Sequence, residues 1–439
     1  MKIQRFLTAK DTDNKFKKEE LKNLNIDTNN VIKINENKTY QSILGFGGAF
    51  SEAACYTLNK LSTSQKEKIL DAYFNKEKGL GYNLGRVSIN SCDFSLQSYD
   101  YVKEDDKSLE TFNISREDKW VIPTIKEAMQ IRGEDIKILA SPWSPPAWMK
   151  TNKKMNNGGK LLDEYKKVWA DYYIEFINEY KKRDIDIWGI TVQNEPAAEQ
   201  IWESCIYTAE EERDFIKNYL GPAFVNNGLK DKKIIIWDHN RDMVIDRATT
   251  VLSDDKAAQY VWGTGINWYL SEAFKNVGEV HNRFPDKHLL FTEGTQEGGV
   301  HLGAWKTGEK YARNMIGDLN NWIEGYIDWN LVLNEEGGPN HVGNYCDAPI
   351  IADTENDQVI FNSSYYYIGH FSKYIQENAL RIGLDHNNKN LQVTAIKNPD
   401  GSIVIIILNE TEQREYFELK YNENKIGRAS CRERVCVGV

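Results

Sequence analysis

Two carboxylates stand in matching settings: Glu195 in GITVQNEP and Glu293 in LLFTEG. Each closes a short apolar run and is followed at once by Pro or Gly. An acid at the carboxyl end of a buried parallel strand sits in this way, where the strand stops and a loop begins. Two such acids on separate strands suggest one shared site. The chemistry that needs two facing carboxylates, and little else, is glycoside hydrolysis. That chemistry requires no metal or organic cofactor, and no His, Cys and Asp cluster stands at ligand spacing in the chain.

The elements that would carry these acids follow from periodicity. Strand-like runs at 44–48, 83–89, 136–140, 187–193, 233–237, 265–269, 288–292 and 326–331 alternate with amphipathic stretches. Ser62 with Gln65, and Thr208 with Glu211, have capping-box spacing. Between 161 and 183, Val168, Tyr172, Phe176 and Ile177 fall at helical spacing and predict one buried stripe. Eight strand-then-helix repeats predict an α/β chain with a (β/α)₈ TIM barrel over residues 41–375. After about residue 375 the helices stop. Runs at 390–397, 402–408 and 415–421 predict an antiparallel β-unit over 376–425. The strand-like runs 31–34 and 38–40, within residues 1–40, are expected to join it, closing a small β-domain from both chain ends.

In such a barrel the carboxyl ends of the strands converge on one mouth. Arg86, Asp93, Trp143, Asn194, Glu195, Trp268, Tyr269, Glu293 and Trp329 all fall at those ends and are candidates for one pocket. Each also has a plainer reading. Trp143 and Trp329 suit core or rim packing, and Arg86 suits a structural ion pair. A cation beside a carboxylate nucleophile would also keep it ionised. The glycines of GFGGAF lack the Lys-Ser/Thr of a phosphate-binding loop, so they predict close backbone packing.

Composition narrows the partners. A net charge of −10, with both signs mixed throughout, argues against nucleic acid or an anionic membrane surface. The longest apolar run, 403–408, is too short to span a bilayer. The expected partner is a carbohydrate or glycoside, with no membrane insertion and the oligomeric state open. The start has no apolar leader, and Cys55, Cys92, Cys205 and Cys346 read as free thiols, which together predict a cytoplasmic protein, or a secreted one if the N-terminus is incomplete. The segment 426–435, IGRASCRERV, follows neither strand nor helical period and matches one reading frame of a common sequencing adapter. It predicts a non-native tail over 426–439, without packing contacts, on a β-domain lacking its last strand or two.

GFGGAFSEA, YNLGRVSINSCDFS, SPWSPPAWMKTN, QNEP, FTEG, DWNLVLNEEGGPN and YYYIGHFSKYI, in order from about residue 38 to about 410, resemble glycoside hydrolase family 30. The resemblance implies a retaining β-glycosidase acting on β-glucosides, glucosylceramide among them. It implies Glu195 as acid/base, Glu293 as nucleophile and Asn194 on the sugar 2-hydroxyl. Asp93, Trp143, Trp329 and Asn344 would surround the non-reducing sugar, with Arg86 and Tyr269 beside the nucleophile. The chain departs at Asn267, where a characterised member has His, and in the loop TQEGGVHLG. These departures leave the aglycone open. An endo-β-1,6-glucanase or a β-xylosidase is the alternative within the family, and a non-catalytic carbohydrate-binding protein is a third.

Overall fold

The computed structural model describes residues 4–20, 28–422, 424–431 and 435–438. Eight parallel strands close into a barrel: β1 (Gly45–Ala49), β2 (Leu84–Ile89), β3 (Lys137–Pro142), β4 (Ile187–Thr191), β5 (Lys233–Asn240), β6 (Val261–Asn267), β7 (His288–Glu293) and β8 (Gly325–Asn330). Each pairs with the next, and β8 pairs back onto β1. All eight predicted runs overlap these strands. The largest shifts are that β5 continues three residues past Trp237 and that β6 begins four residues before 265.

The strands are apolar on both faces because both are covered. Leu84, Leu139, Ile235, Leu290 and Ile327 form one buried cluster within the barrel, while Val87, Ile138, Ile190, Ile236 and Phe291 belong to the core shared with the helices. Side chains alternate along a strand, so Arg86 shares the inward face of β2 with Leu84. The glycines of GFGGAF serve close approach, as expected: a Cβ on Gly47 would lie 1.9 Å from the carbonyl oxygen of Leu84 on β2.

The helix Lys166–Lys181 buries Tyr172, Phe176 and Ile177, with Val168 packed at its edge. The capping box at Thr208 and Glu211 is formed: the Thr208 hydroxyl accepts from the Glu211 amide, and the Glu211 carboxylate accepts from the Thr208 amide. The one expected at Ser62 is not. No side-chain bond caps the helix Thr63–Phe74; the Ser62 hydroxyl bonds Ser64 instead.

The second unit is a nine-stranded sheet drawn from both ends of the chain. Val31–Ser42 is one long strand where two short runs were expected, pairing antiparallel with Leu380–His386 and parallel with Glu415–Tyr421. The strand Ile403–Asn409 explains its own unbroken apolar run. Ile405 and Ile407 face the sheet's core with Leu391, Val393 and Phe417, while Val404, Ile406 and Leu408 pack into the barrel's core.

The expectation of a tail without contacts is corrected. Asn424–Cys431 pairs along the whole of Glu415–Tyr421, and Val435–Gly438 lies between Ile403–Asn409 and Gln4–Thr8. A strand slot is filled through backbone N–H and C=O groups, so side-chain alternation is not required to fill it. No helix among the described residues is long and apolar enough to cross a membrane.

Candidate active site

Glu195 follows β4 and Glu293 ends β7, and both line one cavity of about 390 Å³ at the barrel mouth. Asp93, Trp143, Asn194, Tyr269, Trp329 and Asn344 line it too. Arg86 and Trp268 do not. Arg86 lies beneath the cavity with no exposed surface. Trp268 is turned into the core against Phe291 and Tyr311, its indole N–H donating to the Thr295 carbonyl. At the end of β6, alternation turns Tyr269 toward the mouth and its neighbour away.

Arg86 organises the floor. Its Nη1 donates to Glu293 Oε2 at 2.5 Å, and its Nη2 donates to Asp238 Oδ2 at 2.8 Å and to Asn194 Oδ1 at 2.9 Å. Nε donates to the Ser141 hydroxyl at 3.0 Å. Tyr269 donates its hydroxyl to the other Glu293 oxygen at 2.7 Å. Asn194 thus commits its side-chain oxygen to Arg86, while its amide nitrogen has no hydrogen bond to another described residue. Asn267 donates to the Thr292 hydroxyl at 3.1 Å, and that hydroxyl donates to Asp238 at 2.6 Å. The residue at which the chain departs from its resemblance therefore braces the floor from below and is absent from the cavity wall.

Burial pushes the Glu293 carboxyl above the ordinary range, with the charges of Glu195 and Asp238 adding to it; Arg86 and Tyr269 pull it back. At the far wall, Asp93 accepts from Asn344 at 3.0 Å and from Asn340 at 3.1 Å, and burial raises it to about 6. Trp143 and Trp329 are stacked on each other at 5.1 Å, with the Arg86 guanidinium 4.9 Å from the Trp143 ring. They are packed side chains and cavity wall at once.

The sequence reading missed one group of residues, at the end of β5. Trp237 and Asp238 both have positive φ, 71° and 47°, and the pairing with β6 shifts register between Ile236 and His239. This is a bulge beside the site, and each such residue costs on the order of 1–3 kcal/mol of backbone strain. Buried Glu212 accepts from the Trp237 amide, and the Trp237 indole donates to the Asn240 carbonyl. The bulge aims Asp238 at Arg86 and His239 at Glu195, whose own φ is 44°. Gln200, Trp202, Asn240, Thr295, Glu297 and Cys346, also outside the sequence reading, line the same cavity. The signal was present as DHN directly after the apolar run, in a strand judged to end at Trp237.

A closed parallel barrel with two carboxylates and stacked indoles at its carboxyl mouth is the build of a glycoside hydrolase. The chain belongs to glycosyl hydrolase family 30: the family's TIM-barrel domain matches residues 43–375 and its beta sandwich domain residues 378–432, past Lys425. Lysosomal acid glucosylceramidase of Mus musculus is 36% identical over 402 residues, covering 87% of this chain and 78% of that protein. The solved structure of SrfJ from Salmonella typhimurium superposes with a TM-score of 0.94 at 34% identity, over 99% of this chain and 98% of that one. A solved endo-β1,6-glucanase does so at 0.89 and 27% identity, over 100% and 99%. The protein is a glycosidase and its substrate a carbohydrate or glycoside.

Proposed function

We propose that the chain is a retaining β-glycosidase that hydrolyses β-glucosides, with Glu293 as nucleophile and Glu195 as acid/base. The observation that carries this reading is the asymmetry of the two carboxyls in one cavity. Glu293 accepts from both Arg86 and Tyr269, which stabilise its anion. Glu195 has neither, and among the described residues the side chain that approaches its carboxyl is His239, at 3.3 Å. In this reading Glu293 attacks as the anion and Glu195 brings the proton.

The reaction then runs in two displacements. A Glu293 oxygen bonds to the anomeric carbon as the glycosidic C–O bond breaks, and its electron pair leaves with the aglycone oxygen, which takes the Glu195 proton. Water next attacks the same carbon, giving its proton to Glu195, and the ester electrons return to Glu293. The free amide nitrogen of Asn194 suits donation to the sugar 2-hydroxyl. A glucosyl unit as substrate is supported by the likeness to the glucosylceramidase. An endo-β-1,6-glucanase is the second reading, supported by the likeness to the solved glucanase.

The test is Glu195→Ala with azide. Turnover of an activated β-glucoside should be rescued, releasing the β-glycosyl azide. An α-azide would mean that the acid, and not the nucleophile, is Glu293. Release of glucose from β-glucosides, against oligosaccharides from β-1,6-glucan, separates the two substrate readings.

A further inference from the structure

We propose that His341 and Glu203 are positioning residues for the sugar subsite: their opposite charges tie together the three loops that build the wall around Asp93. The inference rests on the reading of Asp93 as a contact of the sugar.

Neither residue lines the cavity, but each adjoins one that shapes its wall. Glu203 follows cavity-lining Trp202 on the loop after β4, and His341 follows Asn340, a donor to Asp93, on the loop after β8. Both also grip the loop after β2 that carries Asp93. The Ser91 hydroxyl donates to Glu203 Oε1 at 2.8 Å, and the His341 amide donates to the Asp93 carbonyl at 3.2 Å. His341 Nδ1 lies 3.2 Å from the Ser95 carbonyl oxygen. A carbonyl oxygen only accepts, so Nδ1 carries a proton in either charge state of the ring. The neutral ring then turns a lone pair at Nε2 toward Glu203 Oε2, 3.4 Å away, and the protonated ring turns a positive N–H there. Over that distance the attraction is one of charge and needs no hydrogen bond.

Burial opposes the charge on both groups, and both charges persist. His341 is held above its ordinary value by Glu203, with the Ser95 carbonyl and Asp93 assisting. Glu203 is held below its own by His341, with the hydroxyls of Ser98 and Ser91 assisting. The other titratable groups facing the pair are Asp93, the buried Cys92 thiol, and Lys150, whose ammonium donates to the Ser204 carbonyl. The sign of the pH dependence follows. The His341 charge is fully present below its ordinary 6.5 and is lost as pH rises through its higher folded value. Its loss leaves Glu203 a buried anion without its charge partner, so the tie slackens on the alkaline side. Asp93 then sits on a looser loop and holds the sugar less well, while Glu195 and Glu293, on β4 and β7, keep their places.

The test measures KM and kcat for a nitrophenyl β-glucoside across about pH 6 to 9 in the parent and in His341→Gln. Glutamine keeps an N–H for the Ser95 carbonyl and carries no charge. The parent KM should rise about threefold or more over that range, while the variant KM is already raised at the acid end and rises no further. The kcat profiles of the two should run parallel. Asp93 titrates in both proteins, so the difference between the KM profiles belongs to His341. A second measurement follows the His341 ring by NMR: its midpoint should lie above 6.5 in the parent and fall in Glu203→Gln, which decides the matter alone if His341→Gln does not fold. Parallel KM profiles, or a midpoint that Glu203→Gln leaves in place, overturn the proposal. An unchanged KM in Asp93→Ala would instead remove the sugar contact beneath it.

Discussion

Arg86 touches Glu293 at 2.5 Å from a side chain with no exposed surface. A cation so placed cannot bind sugar; it acts on substrate only through Glu293 and Asn194. The same guanidinium meets Asp238, also fully buried, so one cation offsets two carboxylates beneath the cavity. Burial lowers the affinity of Arg86 for its proton, and the two acids more than restore it.

Arg86→Lys should show what the planar fork supplies. A lysine presents one nitrogen where Arg86 spans Glu293, Asp238, Asn194 and Ser141, so it leaves at least one buried acid without its charge partner. Breaking a buried pair costs on the order of 3–5 kcal/mol. A fall of several degrees in Tm and a loss of about 100-fold or more in kcat/KM are expected. Calorimetry and steady-state rates check this, and a variant of unchanged Tm and rate would mean the floor does not depend on fork geometry.

Asn194→Ala removes a donor that is free for the sugar 2-hydroxyl. Contacts to that hydroxyl strengthen as the oxocarbenium ion forms, supplying several kcal/mol. The loss should fall on kcat, by about 100-fold or more, with little change in KM. A change confined to KM would make Asn194 a ground-state contact only.

Glu117 should make stability fall with pH. It is buried, accepts from the hydroxyls of Tyr99 and Tyr101, and is raised from 4.5 to about 7, chiefly by burial. Below pH 4.5 both folded and unfolded chains hold its proton. Between 4.5 and about 7 the unfolded chain releases it while the folded one does not, so stability drops; above about 7 the drop is complete. Glu117→Gln keeps an oxygen for both hydroxyls and removes the titration. Its Tm relative to the parent should climb across that window and level off beyond it. A gap that is flat or narrows with pH contradicts the assignment.

Truncation after Lys425 should destabilise the sheet. It removes most of the strand beside Glu415–Tyr421, and it removes the strand that joins Gln4–Thr8 to Ile403–Asn409. A Tm lower by several degrees, the equivalent of about 1–2 kcal/mol or more, is expected, with earlier proteolysis in the N-terminal hairpin. An unchanged Tm would show that this pairing contributes nothing in solution.

By itself the sequence determined the barrel, the β-unit and part of the cavity wall. Strand-then-helix alternation is a local property, and in a parallel barrel every strand end meets at one mouth, so Glu195, Glu293, Asp93, Asn194 and Tyr269 could be placed together from chain position alone. Only the tertiary structure decided which of two adjacent aromatics faces the cavity, because the parity at the end of β6 separates Tyr269 from Trp268. It also decided the role of β5. The bulge at Trp237 and Asp238 depends on left-handed backbone held by a distant buried Glu212, which no local pattern announces, and without it His239 would not reach Glu195. Residues 424–431 and 435–438 differ for the same physical reason in reverse. Their side chains carry no strand signal, but the open places in the sheet are filled through backbone hydrogen bonds, which almost any extended segment can supply.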